Sequence, residues 1–162
     1  MITITKEKPT VQALRNFEDE VFGAAGTSDL ALNTQELRLF VALPQVIIVS
    51  AFDDEKLIGY SAGAPFGMFN GVGRENSITP KNSVYFLSLG VRDKYRNQGI
   101  AQKLIDERLR IAKERGFSYG CGHFRSGASV HLARKNLQVT NEFSISNYGD
   151  SGETYYYIVG KI

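Results

Sequence analysis

The stretch LGVRDKYRNQGIAQKLI, residues 89–105, decides how the rest of the chain is read. It begins inside an apolar run, SVYFLSLGV (83–91), whose β-branched and aromatic residues read as a strand. It ends inside an amphipathic helix expected from about Asn97 to Arg115. That helix puts Ala101, Leu104, Ile105, Leu109 and Ala112 on one face and pairs Asp106 with Arg110 on the other, and Gly116 is the expected stop. Between strand and helix lies RNQGIA (96–101). A helix N-terminus exposes unpaired N–H groups and the positive end of the helix dipole, so a glycine there lets an anion approach the backbone with no side chain in the way. Gly99 supplies that glycine, Ala101 is nearly as small, and Arg96 adds a positive charge at the lip. The plainer reading, in which Gly99 only eases a loop into a helix, competes with it. The setting in a strand–helix–strand unit, where anions commonly bind, favours the phosphate cradle.

Two familiar phosphate loops fail on residues. A Walker loop ends in Gly-Lys-Ser/Thr, which RNQGIAQK lacks. A dinucleotide-binding unit places its glycines directly after the strand and an acid at the end of the next one. Here RDKY (92–95) intervenes, and the next strand, FSYGCGHF (117–124), ends at Cys121, Gly122 and His123.

Outward from this stretch, the chain reads as one domain, 1–162, long enough to bury a core without disulfides or metals. ITITK reads as a short strand, followed by helices over 11–22 and from Asn33 or Thr34 to the stop at Pro44. QVIIVSAF (45–52) and KLIGYSAGAPF (56–66) form a hairpin around DDE. GMFNGVGRENSITPKN (67–82) is the longest loop, and loops of that length in compact domains are more often functional than idle. A helix over 126–137 and strands near 139–146 and 153–162 complete a mixed α/β (α+β) domain around one sheet. Nineteen basic and seventeen acidic side chains leave a net charge of +2, too small to argue for nucleic acid or an anionic membrane. With no leader-like segment, no apolar run near eighteen residues and one cysteine, a cytoplasmic protein is expected.

The strand ending in Val91 followed by Arg96, Gly99 and Ala101 resembles the acetyl-CoA signature of the GCN5-related N-acetyltransferase (GNAT) superfamily, and the order of elements along the whole chain is similar. The resemblance implies a mostly antiparallel sheet of about seven strands flanked by about four helices. The strands near 83–91 and 117–124 would splay apart, with the pantetheine arm of acetyl-CoA in the gap. Backbone groups of Leu89 and Val91 would bond that arm, and the amides of Arg96, Asn97, Gln98, Gly99, Ile100 and Ala101 would surround the pyrophosphate. No metal site is implied. Gly90 suits either a bulge that opens the sheet or a packing accommodation.

The implied reaction is attack of a primary amine on the thioester within a ternary complex. It benefits from a base, an oxyanion donor such as the Val91 N–H, and an acid for the leaving sulfur. Many superfamily members supply the acid from a tyrosine that aligns here with Ala133. Ser126 and Ser129 share that helical face and could stand in, although Ser126 as an N-cap and Ser129 as a packing residue is the simpler account. Several members place a basic Glu where this chain has Tyr85, which lines the acceptor site or fills the core. His123 has the pKa range of a proton shuttle, yet a lone histidine is more often structural. His131 points elsewhere. Positioning alone supplies much of the rate of such a transfer, so the missing groups leave activity open. The alternative is a catalytically silent acyl-CoA-binding sensor or regulatory module.

The resemblance puts the acceptor, a small amine or a peptide N-terminus, beside the loop 67–82 with Phe66, Met68, Phe69, Arg74 and Glu75, the first two helices, and the strand at Tyr155 to Tyr157. TYYYIVG also reads simply as a strand buried on both faces. A homodimer through the last strands is compatible with such folds.

Overall fold

The computed structural model describes residues 1–23, 31–68 and 74–162. Seven strands form one mixed, mostly antiparallel sheet in the order β1-β2-β3-β4-β5-β7-β6. They are β1 (Ile2–Thr5), β2 (Ile47–Asp53), β3 (Lys56–Pro65), β4 (Ser83–Val91), β5 (Tyr119–Arg125), β6 (Gln138–Ile145) and β7 (Tyr155–Lys161). Five α-helices accompany them among the described residues: α1 (Val11–Glu18), α2 (Thr34–Ala42), α3 (Arg74–Ile78), α4 (Ile100–Glu114) and α5 (Ala128–Asn136). The chain divides into two compact units, Met1–Gly63 with Leu87–Arg110, and Ala64–Phe86 with Ile111–Ile162.

In the first unit β1, β2 and β3 pair antiparallel, with the β2–β3 turn passing through Asp54 at φ 51°. Local capping sets the helix starts. The Thr10 hydroxyl accepts from Ala13 N–H at 3.1 Å, and Asn33 with Glu36 forms a reciprocal capping box. Leu43, followed by Pro44, ends α2, and the Lys8 ammonium closes that end by donating to the carbonyls of Phe40, Val41 and Leu43 at 3.0, 3.2 and 2.6 Å. The helix expected over 11–22 departs from regular geometry at Asp19. The remaining turn, Asp19–Gly23, is a π-helix that still buries Val21 and Phe22. Phe17 is fully buried, edge-on to Tyr60 at 5.3 Å. A side chain at Gly90 would meet the rings of Phe17 and Phe22 at 2.9 and 3.0 Å, so this glycine accommodates packing.

In the second unit β4 pairs parallel with β5, and β7 lies antiparallel between β5 and β6. The β4–β5 ladder runs only from Ser83↔Tyr119 to Tyr85↔Cys121, in agreement with the expected splay. Phe66, Cys121, Tyr157 and Val159 form a buried cluster against Ile78, Tyr85, Phe143 and Ile145. Gly120 lets the Phe86 ring approach β5 closely, since a Cβ there would lie 2.5 Å from its Cζ.

Several local expectations change. The long helix begins at Ile100, because Asn97 and Gly99 both have left-handed φ, at 60° and 75°. Arg110 pairs with Glu107 at 2.6 Å, and Asp106 accepts from Gln102 at 2.7 Å. Ser126 is not an N-cap: α5 starts after Gly127, at φ 100°, with no side-chain cap, and the Ser126 N–H bonds to the Thr154 carbonyl. The segment read as a loop over 67–82 contains α3, while 69–73, including Phe69, lie outside the described residues.

Candidate active site

In the first unit, β4 delivers the chain to Val91 and a short 3₁₀ turn, Asp93–Tyr95, turns it toward α4. Arg92 anchors the exit. Only 5% exposed, it donates from its backbone to Ile58 and from Nε to the Leu57 carbonyl at 2.7 Å, and its guanidinium pairs with Glu20 and lies over Phe17. Left-handed Asn97 and Gly99 then curl the backbone in the manner that gathers successive N–H groups into an anion-binding concavity. The amides of Asn97, Gln98, Gly99, Ile100 and Ala101 find no acceptor among the described residues. A Cβ built on Gly99 meets nothing within 4 Å, so its surface is open and its φ, not crowding, calls for glycine. The Arg96 amide is already spent on the Asp93 carbonyl. Its guanidinium folds back, donating to the Val91 carbonyl at 3.2 Å and pairing with Asp93 at 2.8 Å, so it braces the loop it was expected to front. Leu89 is partly buried and Val91 buried just upstream.

In the second unit, the parallel register sets Tyr85 opposite Cys121, and His123 follows two residues on, on the same face of β5. The Tyr85 hydroxyl reaches His123 Nδ1 at 2.7 Å, and Glu75 of α3 lies 3.3 Å from Nε2. A carboxylate can only accept, so Nε2 carries the proton and Nδ1 takes the Tyr85 O–H. The antiparallel register sets Tyr157 opposite His123, ring centroids 4.7 Å apart, and Tyr148 stacks on the imidazole at 4.7 Å and 25°. The Tyr157 hydroxyl is shared with Thr79 at 2.7 Å. Burial lowers the His123 pKa, while Glu75 opposes the shift. Burial raises the phenols of Tyr85, Tyr148 and Tyr157 and pushes the Cys121 thiol up to about 12. The cluster therefore combines a neutral imidazole with a protonated phenol, which suits proton transfer and not thiolate chemistry.

Ser129 is exposed on the first turn of α5, and Ala133 is buried on the same helix. His131 is exposed. Glu75 and Tyr148 were not singled out as partners of His123, since α3 is hidden in a glycine-rich segment and Tyr148 sits in a turn. Glu18 was missed as well. It is fully buried, accepts from the Tyr60 hydroxyl and from Leu32 N–H at 2.7 Å, and burial raises its pKa. Its place four residues after Leu14 and one after Phe17, on the apolar face, was the available signal. Among the described residues no group of three or more His, Cys, Asp or Glu is placed to hold a metal ion, and no helix is long and apolar enough to cross a membrane.

Comparison with known proteins agrees with this fold. The chain is similar in structure to the ribosomal-protein-S18-alanine N-acetyltransferase of Escherichia coli, with 14% identity, TM-score 0.73, and 100% of this chain and 94% of that one covered. Arabidopsis thaliana NAA60 in complex with acetyl-CoA gives 17% identity and TM-score 0.73, with both chains covered in full. The paia N-acetyltransferase of Thermoplasma acidophilum in complex with coenzyme A gives 15% identity and TM-score 0.60, covering 100% and 99%. At these identities the likeness establishes the fold. No curated protein matches significantly by sequence. The Acetyltransferase (GNAT) family profile matches residues 11–137, most of the chain, and the protein belongs to that family.

Proposed function

We propose that the whole chain, 1–162, acts as one acetyl-CoA-dependent N-acetyltransferase that transfers the acetyl group directly to a primary amine, either of a small molecule or of a peptide N-terminus. The observation that carries this reading is the run of five amides, Asn97 to Ala101, curled at the start of α4 with no acceptor among the described residues. That donor set fits a pyrophosphate, and the open surface at Gly99 fits its close approach. Acetyl-CoA, when bound, supplies an activated thioester carbonyl. Backbone groups of Leu89 and Val91 would align the pantetheine arm, and Arg96 would hold the loop in shape.

The proton chemistry falls to Tyr85 and His123. The Tyr85 oxygen takes a proton from the acceptor ammonium as its own O–H proton passes to His123 Nδ1. The Glu75 carboxylate then steadies the imidazolium through Nε2–H. This is the logic of a carboxylate–imidazole–hydroxyl triad, with the hydroxyl serving as a relay. Ala133 stands where many relatives carry an acidic tyrosine. Ser129 is the hydroxyl on that helix that would protonate the leaving sulfur, through water.

Support comes from the family match and from solved relatives whose structures hold acetyl-CoA or coenzyme A. The test is thiol release from acetyl-CoA, measured across small amines and peptides with free N-termini, alongside titration with coenzyme A. Acceptor-dependent thiol release is expected. Binding without release for any acceptor would replace the enzyme with a silent acyl-CoA-binding module, and no binding at all would overturn the whole reading.

A further inference from the structure

His123 is engaged at both ring nitrogens by Tyr85 and Glu75 and packed by the rings of Tyr157 and Tyr148. Three of these partners come from α3, β4 and β7. Tyr148 alone is carried by a connecting turn, between β6 and β7. That turn is unusual: Asn147, Gly149, Asp150 and Gly152 all have left-handed φ, between 52° and 76°. Two of the four are not glycine, a conformation that persists only where surrounding bonds hold it. The bonds are present. Asn147 Oδ1 accepts from Gly152 N–H at 2.7 Å, and the Asn147 carbonyl accepts from Asp150 N–H at 3.2 Å. Tyr148 itself donates from its backbone to Glu153 at 3.1 Å and accepts from Ser151 N–H at 3.1 Å. The Tyr148 ring also meets Tyr155, buried in β7, at 4.7 Å.

We infer that Tyr148 is a positioning residue: the 147–152 turn holds its ring flat on His123, keeping water off the imidazole and fixing its plane so that Nδ1 meets Tyr85 and Nε2 meets Glu75. The inference rests on the reading of His123 as the proton acceptor. The groups facing the imidazole are Glu75 from α3, Tyr85 from β4, Tyr157 from β7 and Tyr148 itself. Burial raises the pKa of all three phenols, so they stay neutral around the ring. Glu75 favours the protonated imidazole and dryness disfavours it. Removing the Tyr148 ring admits water, which moves the imidazole pKa upward, and loosens the bond to Glu75, which moves it downward; dryness is the larger of the two influences, so the net movement is upward.

The chain has two histidines, so a His131→Asn background isolates the His123 signal. Imidazole resonances of the labelled full-length protein are followed against pH in that background, then with Tyr148→Phe, Tyr148→Ala and Asn147→Ala added. Tyr148→Phe keeps the ring and should titrate like the parent. Tyr148→Ala should titrate higher by roughly half a unit or more. Asn147→Ala, which removes an exposed turn residue's hold on Gly152, should move in the same direction and carries the test if Tyr148→Ala does not fold. An imidazole that titrates like the parent in the folded Ala variants overturns the inference, since a merely structural turn would lower Tm and leave the titration alone. The acid limb of kcat/KM is read on the same proteins and should follow the imidazole. If the imidazole moves and the acid limb does not, the cover stands and the base assignment to His123 falls.

Discussion

The hydroxyl of Tyr85 lies 2.7 Å from Nδ1 of His123, across a sequence separation of 38 residues. The contact follows from the parallel register of β4 and β5, which aligns Tyr85 with Cys121 and leaves His123 the next residue on the same face. Replacing either partner should break the relay. His123→Gln and Tyr85→Phe are each expected to lower kcat/KM by about a hundredfold, within the usual range for proton-transfer groups. The double variant should be little worse than either single one, because the two act as a unit. Initial rates of acceptor-dependent thiol release check both statements.

The lowered pKa of His123 sets the direction of the pH dependence. With the neutral ring as the proposed base, kcat/KM should hold down through pH ~6.5, the ordinary histidine value, and fall only below it. Folding stability follows the same sign. A histidine held below its unfolded pKa contributes stability that is present above pH ~6.5 and lost as the pH drops through the lower folded value. Glu75→Gln removes the group that favours the imidazolium, so the acid limb should move lower still while kcat declines. A pH–rate profile of the two proteins decides it.

Gly99 combines a left-handed φ of 75° with open space around its missing Cβ. Gly99→Val should therefore cost stability through backbone strain of about 1–2 kcal/mol, without crowding a neighbour. It should also place a branched side chain over the free amides and weaken coenzyme A binding by about tenfold or more. Gly99→Asn, which tolerates the left-handed region, should recover most of the stability. Calorimetric titration and thermal unfolding measure the two effects separately.

Glu18 sits fully buried under the Tyr60 hydroxyl, and burial holds its pKa above the usual carboxylate range. A raised carboxyl pKa contributes stability that is present below the unfolded value and lost as pH rises through the folded one. Glu18→Gln should therefore flatten the stability–pH curve above about pH 4, while its single amide oxygen replaces only one of the two acceptors that serve Tyr60 and Leu32. Tyr60→Phe removes one of the bonds that compensate the buried carboxylate and should cost about 1–3 kcal/mol. Urea unfolding at several pH values tests both.

The open backbone turn at Asn97 to Ala101 was legible in the sequence because its determinants are local. A glycine, a small residue and an arginine at fixed offsets from a strand end and a helix start say where amides become available, and neighbouring residues alone place them. The left-handed turn at Asn97 shifts the helix start by a few residues without moving the amides elsewhere. The Tyr85–His123–Glu75 cluster was only half legible. Tyr85 and His123 each stood out by chemistry, but their meeting depends on strand register, which no local pattern encodes. Glu75 lies on a five-residue helix inside a glycine-rich segment, too short for periodicity to reveal. The pairing of Arg110 with Glu107 shows the same limit on a smaller scale: both Asp106 and Glu107 lie within reach on the helix surface, and spacing alone does not single out Glu107.

Lys8 donates to three carbonyls at the end of α2, one for each hydrogen of an ammonium group. An amine in that state has no lone pair to offer and must give up three bonds and a proton before it can attack an acyl donor. The bonds that hold α2 closed thus also make Lys8 a poor nucleophile toward an acyl donor.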